Sequence, residues 1–443
     1  MERGEFIQNI ADAGVVGAGG GGFPTAVKLN ASFQHYIANG AECEPLLHKD
    51  IELMRRNADF LAETIAKIVD MLGVNYAHIG VKGKYTDIWN ILNSAVDKYN
   101  IQPHYLDDIF PAGDEFELVR TVLGKTIPPG NIPLAVGAVV NNVETIYNIG
   151  KAISGEPVIA KWLTVTGEVE HPFTAIVPLG MRVDDLLNIA RPKIDDFAII
   201  EGGPMMGNIV DDSEPVKKTT AGFIVLPTEH RLITSRQKPI EYILRIAASA
   251  CMQCQACTDL CPRHLLGHPL EPHKIMRAMA MPISLPIESL TSALICSECG
   301  ICEQFACPME ISPRRINREL KAKFFENKVK FVWNGEDIDA FEEREFRRIP
   351  SQKLAERIGV LDYFYIHPEF IPSIPEPDEI ILKLKQHAGV PAVPIVKVGE
   401  DVKKSQLVAK IPDGKLGANI HSSIDGKVIS TAPDIIIRKN LDK

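Results

Sequence analysis

Eight of the nine cysteines in this 443-residue chain fall between Cys251 and Cys307, in two runs. The first, CMQCQACTDLCP, holds Cys251, Cys254, Cys257 and Cys261, followed by Pro262. The second, CSECGICEQFACP, holds Cys296, Cys299, Cys302 and Cys307, followed by Pro308. The first run has the C-x2-C-x2-C-x3-C-P spacing of a bacterial [4Fe–4S] site, and the second differs by one extra residue in its last gap. Thiolates at this spacing wrap one face of a cubane, and the proline after the fourth turns the chain away. In two-cluster proteins the fourth cysteine serves the other cluster. The expected sets are therefore Cys251, Cys254, Cys257 and Cys307 for one cluster, and Cys296, Cys299, Cys302 and Cys261 for the other. Zinc and disulfides are the alternatives. Zinc takes four ligands per ion and has no need of a triplet plus Cys-Pro, twice over; disulfides require an oxidising compartment. Paired clusters of this kind serve as an electron wire. Cys43, in NGAECEPLLHKD, stands apart and reads as a small buried residue rather than a redox thiol.

A second chemistry-bearing stretch is GVVGAGGGGFP, residues 14–24, in which six of eleven residues are glycine. Gly17, Gly19 and Gly22 complete a G-x-G-x-x-G pattern, and Glu42 lies where a dinucleotide fold places its ribose-binding acid. The surroundings fit that fold poorly. Upstream, Phe6, Ile10 and Ala13 space like a helix that Gly14 can end, and downstream Phe23-Pro24 interrupts at once. Consecutive glycines still let backbone N–H groups approach a phosphate, and Lys28 can add charge.

Elements of several kinds must position these residues. The length implies more than one core. Apolar content of 45% and charged content of 24% are those of a globular protein, and the net charge of −9 argues against a nucleic-acid binder. No apolar run approaches a membrane span, and the N-terminus lacks a secretory pattern, so an intracellular, cytoplasmic protein is expected. Residues 1–155 alternate helix and strand. NADFLAETIAKIVDMLG puts Leu61, Ile65, Ile68 and Leu72 on one helical face, with Gly73 as its stop; YAHIGVKG is a strand; LAVGAVVNNVET is a buried strand entering a loop. Residues 156–232 read as a small mixed β-domain with one helix, MRVDDLLNIA. Residues 233–330 are helical and hold the cysteines. Residues 331–376 look like a connector, and 377–443 like a small all-β module.

GAGGGGFPTAVKL, ANGAECEP, PAGDE and VNNVET together resemble the flavin- and NADH-binding core of respiratory complex I's flavoprotein subunit, and still more the RnfC-like electron-transfer proteins. The resemblance implies that Gly17, Gly19, Gly20, Gly21, Gly22 and Lys28 form an FMN loop with NADH adjacent. It places Asn39, Glu42 and Glu44 near the flavin and its ribityl chain, Asn141, Asn142 and Thr145 in the N-N-x-x-T element, and Asp114 and Glu115 near the nicotinamide. Ala18 stands where complex I has arginine, and Ala41 where it has an acid. Residues 164–207 resemble the family's soluble-ligand-binding β-grasp (SLBB) domain. The C-terminus resembles the RnfC barrel-sandwich module, without a lipoyl- or biotinyl-type attachment lysine. The order of these modules is similar to that of PduS-type cobalamin reductases, associated with propanediol-utilising microcompartments.

The fold class implied is multidomain α/β and α+β. The implied path runs from NADH through FMN and two [4Fe–4S] clusters to cobalamin, with no general base. A corrinoid adenosyltransferase is the implied partner, with microcompartment shell or lumen proteins and self-association as further partners and a microcompartment as a location. His264, His268 and His273, near the clusters, read as surface or supporting groups rather than cobalt ligands. The rivals are an RnfC-like NADH dehydrogenase module with another acceptor, and a non-catalytic iron–sulfur docking scaffold.

Overall fold

The structure, a computed structural model, describes residues 1–281 and 287–440. The N-terminal region is built on a four-stranded parallel sheet of β1 (His35–Gly40), β2 (Tyr76–Lys82), β3 (Ile101–Leu106) and β4 (Ala138–Asn142), in the order β3-β2-β1-β4. β1 and β4 are nearly continuous runs of buried residues, as a sheet covered on both faces requires. The expected amphipathic helix spans Lys49–Leu72; Leu61, Ile65 and Ile68 are buried, and Gly73 ends it in the left-handed region. This helix packs against those at Thr86–Val96 and Val143–Ile153.

The chain steps from β1 outward to β2 and β3, then returns to place β4 on the other side of β1. That reversal opens a crevice at the carboxyl ends of β1 and β4, where open α/β sheets bind ligands. The VNNVET stretch departs from the expected strand-to-loop form. β4 ends at Asn142 and a helix begins at once, because the Asn142 side chain accepts from the Glu144 N–H and caps it.

A second sheet has six strands: β5 (Ala160–Gly167), β6 (Phe173–Pro178), β7 (Phe197–Glu201), β8 (Asn208–Val210), β9 (Gly222–Pro227) and β10 (Glu369–Ile371), in the order β10-β6-β5-β9-β7-β8. The expected single helix is Val183–Ala190. The 331–376 stretch is firmly attached: β10 pairs with β6, and Ile349–Pro350 pairs with Ile109–Phe110.

The cysteine region is made of short helices around a core of Ile243, Ala247, Leu270, Ile275, Ile316 and Leu320. The C-terminal region forms two small sheets, of four and three strands. It docks on the rest of the chain: Ile381 N–H donates to Gly180 O at 2.9 Å, and Ser423 Oγ donates to Leu179 O at 2.5 Å. Among the described residues no helix is long and apolar enough to cross a membrane.

Candidate electron-transfer site

The glycine loop is a tight turn between paired residues Val16 and Pro24, closed by Gly17 N–H to Phe23 O and Gly22 N–H to Gly17 O. Helix Arg3–Asp12 delivers it, and Gly14, at φ +68°, makes the exit. Gly20 has φ +104° with open space where a side chain would be, so its backbone is accessible to a ligand. Gly22, at φ +60°, lies against Thr219 and His387, which leave no slack for a Cβ.

Ala18, the position occupied by arginine in complex I, is held by its backbone alone. Its N–H donates to Thr145 Oγ1 at 2.9 Å, and its carbonyl accepts from Lys161 Nζ at 3.0 Å. Lys161 also bonds Glu144, which pairs with Lys49 at 3.0 Å; Lys49 in turn bonds Asp50, and Asn142 Nδ2 reaches Asp50 Oδ2 at 2.7 Å. This network is almost wholly buried and ties the loop to the end of β4. Sequence reasoning misses Lys161; its signal is a lone lysine in the apolar strand KWLTVTG.

The other resemblance residues divide by environment. Asn39 donates to Gly113 O at 2.9 Å and steadies the Ala41 N–H, so it braces the PAGDE turn. Glu42, at φ +34°, accepts from the Asp50 N–H, and burial, with Asp50 second, raises its pKa. Glu44 turns toward the second sheet: its two oxygens accept from Met205 and Met206 N–H at 2.9 and 2.8 Å. Lys28 bonds Val140 O at 2.6 Å and Glu115 at 2.8 Å. Asp114 caps the helix Glu115–Leu123. Asn141 is buried at the end of β4, and its Oδ1 has no partner among the described residues. An orphaned buried acceptor at the end of β4, and an open glycine loop whose Gly19 lies against Asn142 at that same strand end, suit a flavin's donor groups, so the residues present fit FMN.

The cysteines gather as two rings. One cavity is lined by Cys251, Cys254, Cys257 and Cys307, and a second by Cys261, Cys296, Cys299 and Cys302. Each ring thus takes three thiols from one run and the last from the other. All nine cysteines are free thiols in the structure. Four thiols spread around each cavity suit a polynuclear cluster. Burial pushes the Cys257 thiol up to about 12, with Cys307, Cys251 and Cys254 adding to it, and Cys299 up to about 11. Such thiols ionise only with compensating positive charge, which cluster iron supplies. Cys43 is not part of either ring; burial pushes its thiol up to about 12, which keeps it protonated and unreactive.

The second ring faces the N-terminal region. Arg263, two residues after Cys261, makes a bidentate pair with Asp114 at 2.6 and 3.0 Å, and its guanidinium stacks on Phe116. The first ring is the outer one: Cys254 is exposed, beside exposed Met252 and Met309. His264, His268 and His273 are not surface groups. His268 Nε2 meets Ile127 O at 2.9 Å, His273 meets Thr258 at 2.7 Å, and His264 packs against Phe341. Asp339 and Phe341 lie over the turn of residues 265–267 beside the half-buried His264, with Phe341 N–H donating to Leu265 O, while Phe116 packs on His268.

The C-terminal region touches the glycine loop directly. Ala388 N–H donates to Gly22 O at 2.9 Å. Lys218, fully buried, donates to Gly14 O at 2.6 Å and Asn419 O at 2.7 Å, and burial lowers its pKa to about 7. Sequence patterning carries no sign of this contact, which joins residues about 370 positions apart in the chain.

Three family models match: a Nuo51 FMN-binding domain over residues 10–151, a 4Fe-4S dicluster domain over 250–312, and an RnfC barrel sandwich hybrid domain over 367–440. The chain is 41% identical over 426 residues to the cobalamin reductase PduS of Citrobacter freundii, covering 95% of this chain and 93% of that protein. It is 40% identical to that of Salmonella typhimurium, covering 98% and 96%. A component of the proton-translocating ferredoxin:NAD(+) oxidoreductase complex of Clostridium ljungdahlii is 31% identical over 59% of this chain and 56% of that one. Among solved structures, an NAD+-reducing [NiFe]-hydrogenase in the H2-reduced state shares the fold at TM-score 0.50 and 20% identity, over 78% of this chain and 66% of that chain. With near-full-length identity of this order, an FMN-binding domain and a dicluster domain in one polypeptide, the chain is an oxidoreductase that belongs to the PduS cobalamin reductase family.

Proposed function

We propose that this protein oxidises NADH at an FMN held by the glycine loop and sends the electrons through two [4Fe–4S] clusters to a corrinoid, reducing cob(III)alamin and cob(II)alamin for reactivation by a partner adenosyltransferase. The observation that carries the reading is the serial placement of the two thiol rings. One is joined to the N-terminal region through Arg263–Asp114, and the other opens to the surface at Cys254. FMN, when bound, supplies the conversion of a two-electron donor into single electrons. The chain's own residues bind and orient. Gly17 and Gly22 close the turn with their own N–H groups, which leaves those of Gly19, Gly20 and Gly21 for a ligand, and Asn141 offers its unpaired oxygen. Lys28 and Glu115 neutralise one another at the crevice. Cys296, Cys299, Cys302 and Cys261 hold the inner cluster, and Cys251, Cys254, Cys257 and Cys307 the outer.

The domain bounds that fit this reading are 1–155, 156–232, 233–330 and 377–443, joined by 331–376. The six-stranded sheet with its one helix is consistent with a β-grasp (SLBB) domain, and its Met205–Met206 turn bonds Glu44 on one side and Arg314, which lines the inner thiol ring, on the other. A place inside a bacterial microcompartment accords with likeness to PduS.

The test is anaerobic. Protein loaded with iron, sulfide and FMN is mixed with NADH, and flavin and cluster absorbance are followed with and without hydroxocobalamin and an adenosyltransferase. Bleaching followed by adenosylcobalamin formation is expected. Bleaching without corrinoid turnover moves the acceptor elsewhere, as in an RnfC-like module. No bleaching in fully loaded protein leaves a docking scaffold.

A further inference from the structure

Between the second sheet and the helix Pro313–Glu326 lies a cleft of about 400 Å³ lined by Gly207, Arg236, Glu303, Arg314, Arg315 and Arg318, with Glu319 at its edge. Four guanidiniums face two carboxylates here. Their hydrogen-bond partners are neutral oxygens. Arg236 bonds Gly207 O, Leu232 O and Pro204 O; Arg314 bonds Met205 O and Met206 O; Arg315 bonds Ser235 O and Lys238 O; Arg318 bonds Asn208 Oδ1. None of the four forms an ion pair among the described residues. Burial, with Arg314 second, lowers Arg236 to about 10, still protonated at neutral pH.

Two buried atoms at the cleft also lack partners among the described residues. These are Nε of Arg314, which is 6% exposed, and Oε2 of Glu303, which is 4% exposed. Four guanidiniums outnumber the carboxylates of Glu303, Glu319 and nearby Glu44, and a net cationic cavity with an orphaned guanidinium N–H calls for an oxyanion, because arginine forks match phosphate geometry. The cavity falls within the range of small-molecule sites, about 300–1,000 Å³. It has room for a nucleotide-sized group rather than a whole corrinoid. Its position is also telling. Arg314 lines both this cleft and the inner thiol ring, and Glu303 follows Cys302.

We propose that this cleft binds the phosphodiester-linked nucleotide tail of the corrinoid acceptor, holding it beside the cluster region. The proposal rests on the corrinoid reading above and adds to it the site of acceptor recognition. Arg318 is the residue to test, because it is exposed and its loss leaves the thiol rings untouched.

The experiment uses fully loaded holoenzyme and Arg318→Glu and Arg318→Ala variants. Initial rates of NADH-driven reduction are measured with hydroxocobalamin and with cobinamide, which has the corrin ring but no phosphodiester or nucleotide. KM for hydroxocobalamin is expected to rise roughly tenfold in the charge-reversed variant, about the worth of one charge-assisted contact. KM for cobinamide and NADH-driven cluster bleaching should stay as in the parent. Equal changes for both corrinoids, or none, would overturn the proposal and leave the arginines as counter-charges to the cluster. A second arm does not depend on the corrinoid reading: pyrophosphate titrated into FMN-loaded protein by calorimetry. Binding that weakens at least about tenfold in Arg318→Glu supports an oxyanion cleft even if no corrinoid is reduced. No binding, or binding indifferent to Arg318, rejects it.

Discussion

At the scale of single residues, the cysteine pairing is the sharpest feature. Cys307 belongs to the second run in sequence but lines the cavity of Cys251, Cys254 and Cys257, and Cys261 makes the reciprocal exchange. Cys307→Ala is therefore expected to behave like Cys254→Ala and unlike Cys299→Ala. Both of the first pair should lose roughly half the iron of the parent, one cluster of two, and keep the same remaining signal. Iron analysis with low-temperature electron paramagnetic resonance after dithionite reduction checks this; a Cys307→Ala spectrum matching Cys299→Ala would reject the exchange. Histidines set a second residue-scale expectation. Burial holds His48, His78 and His421 down to about 4, with His104 and His35 adding to the effect at His78. The unfolded chain titrates near 6.5, so between about 4 and 6.5 it binds more protons than the folded one. Their contribution is full above about pH 6.5 and is lost as pH falls toward 4. Denaturant titrations of cofactor-free protein across that window should show falling stability, with a shallower fall in His78→Gln.

At the scale of elements, the Arg263–Asp114 pair joins the cysteine region to the capped helix Glu115–Leu123. Both side chains are largely buried, and removing one partner leaves an uncompensated charge. Arg263→Ala is expected to cost about 3 kcal/mol or more and to slow cluster reduction relative to flavin reduction. Differential unfolding and stopped-flow absorbance read the two effects separately. A variant with unchanged stability and unchanged cluster kinetics would show that the pair does not couple these regions.

At the scale of the whole molecule, the C-terminal β-region closes over the glycine loop. Lys218, from the loop before β9, joins Gly14 of the N-terminal region to Asn419 of the C-terminal one. Lys218→Met leaves two carbonyls without their donor, a cost of about 2 kcal/mol. Because one of those carbonyls sets the entry to the glycine loop, FMN should be held roughly tenfold more weakly. Fluorescence titration of flavin into the variant measures this, and an unchanged affinity would mean the C-terminal region does not support the loop.

Local pattern was enough for part of this protein. The cysteine runs, the helix ended by Gly73, the turn at Gly14 and the helix at Val183–Ala190 are all short-range features, set by spacing, periodicity and backbone conformation within about two turns of chain. Tertiary structure decided what lies between the regions. Glu44 bonds the Met205–Met206 turn, Asp114 bonds Arg263, Lys161 holds Ala18, and the three histidines near the clusters meet Phe341, Ile127 and Thr258. In each case the partner is remote in the chain, and a carboxylate, lysine or histidine gives no local sign of which distant group will satisfy it. A buried polar group must find a partner, but the fold alone chooses which.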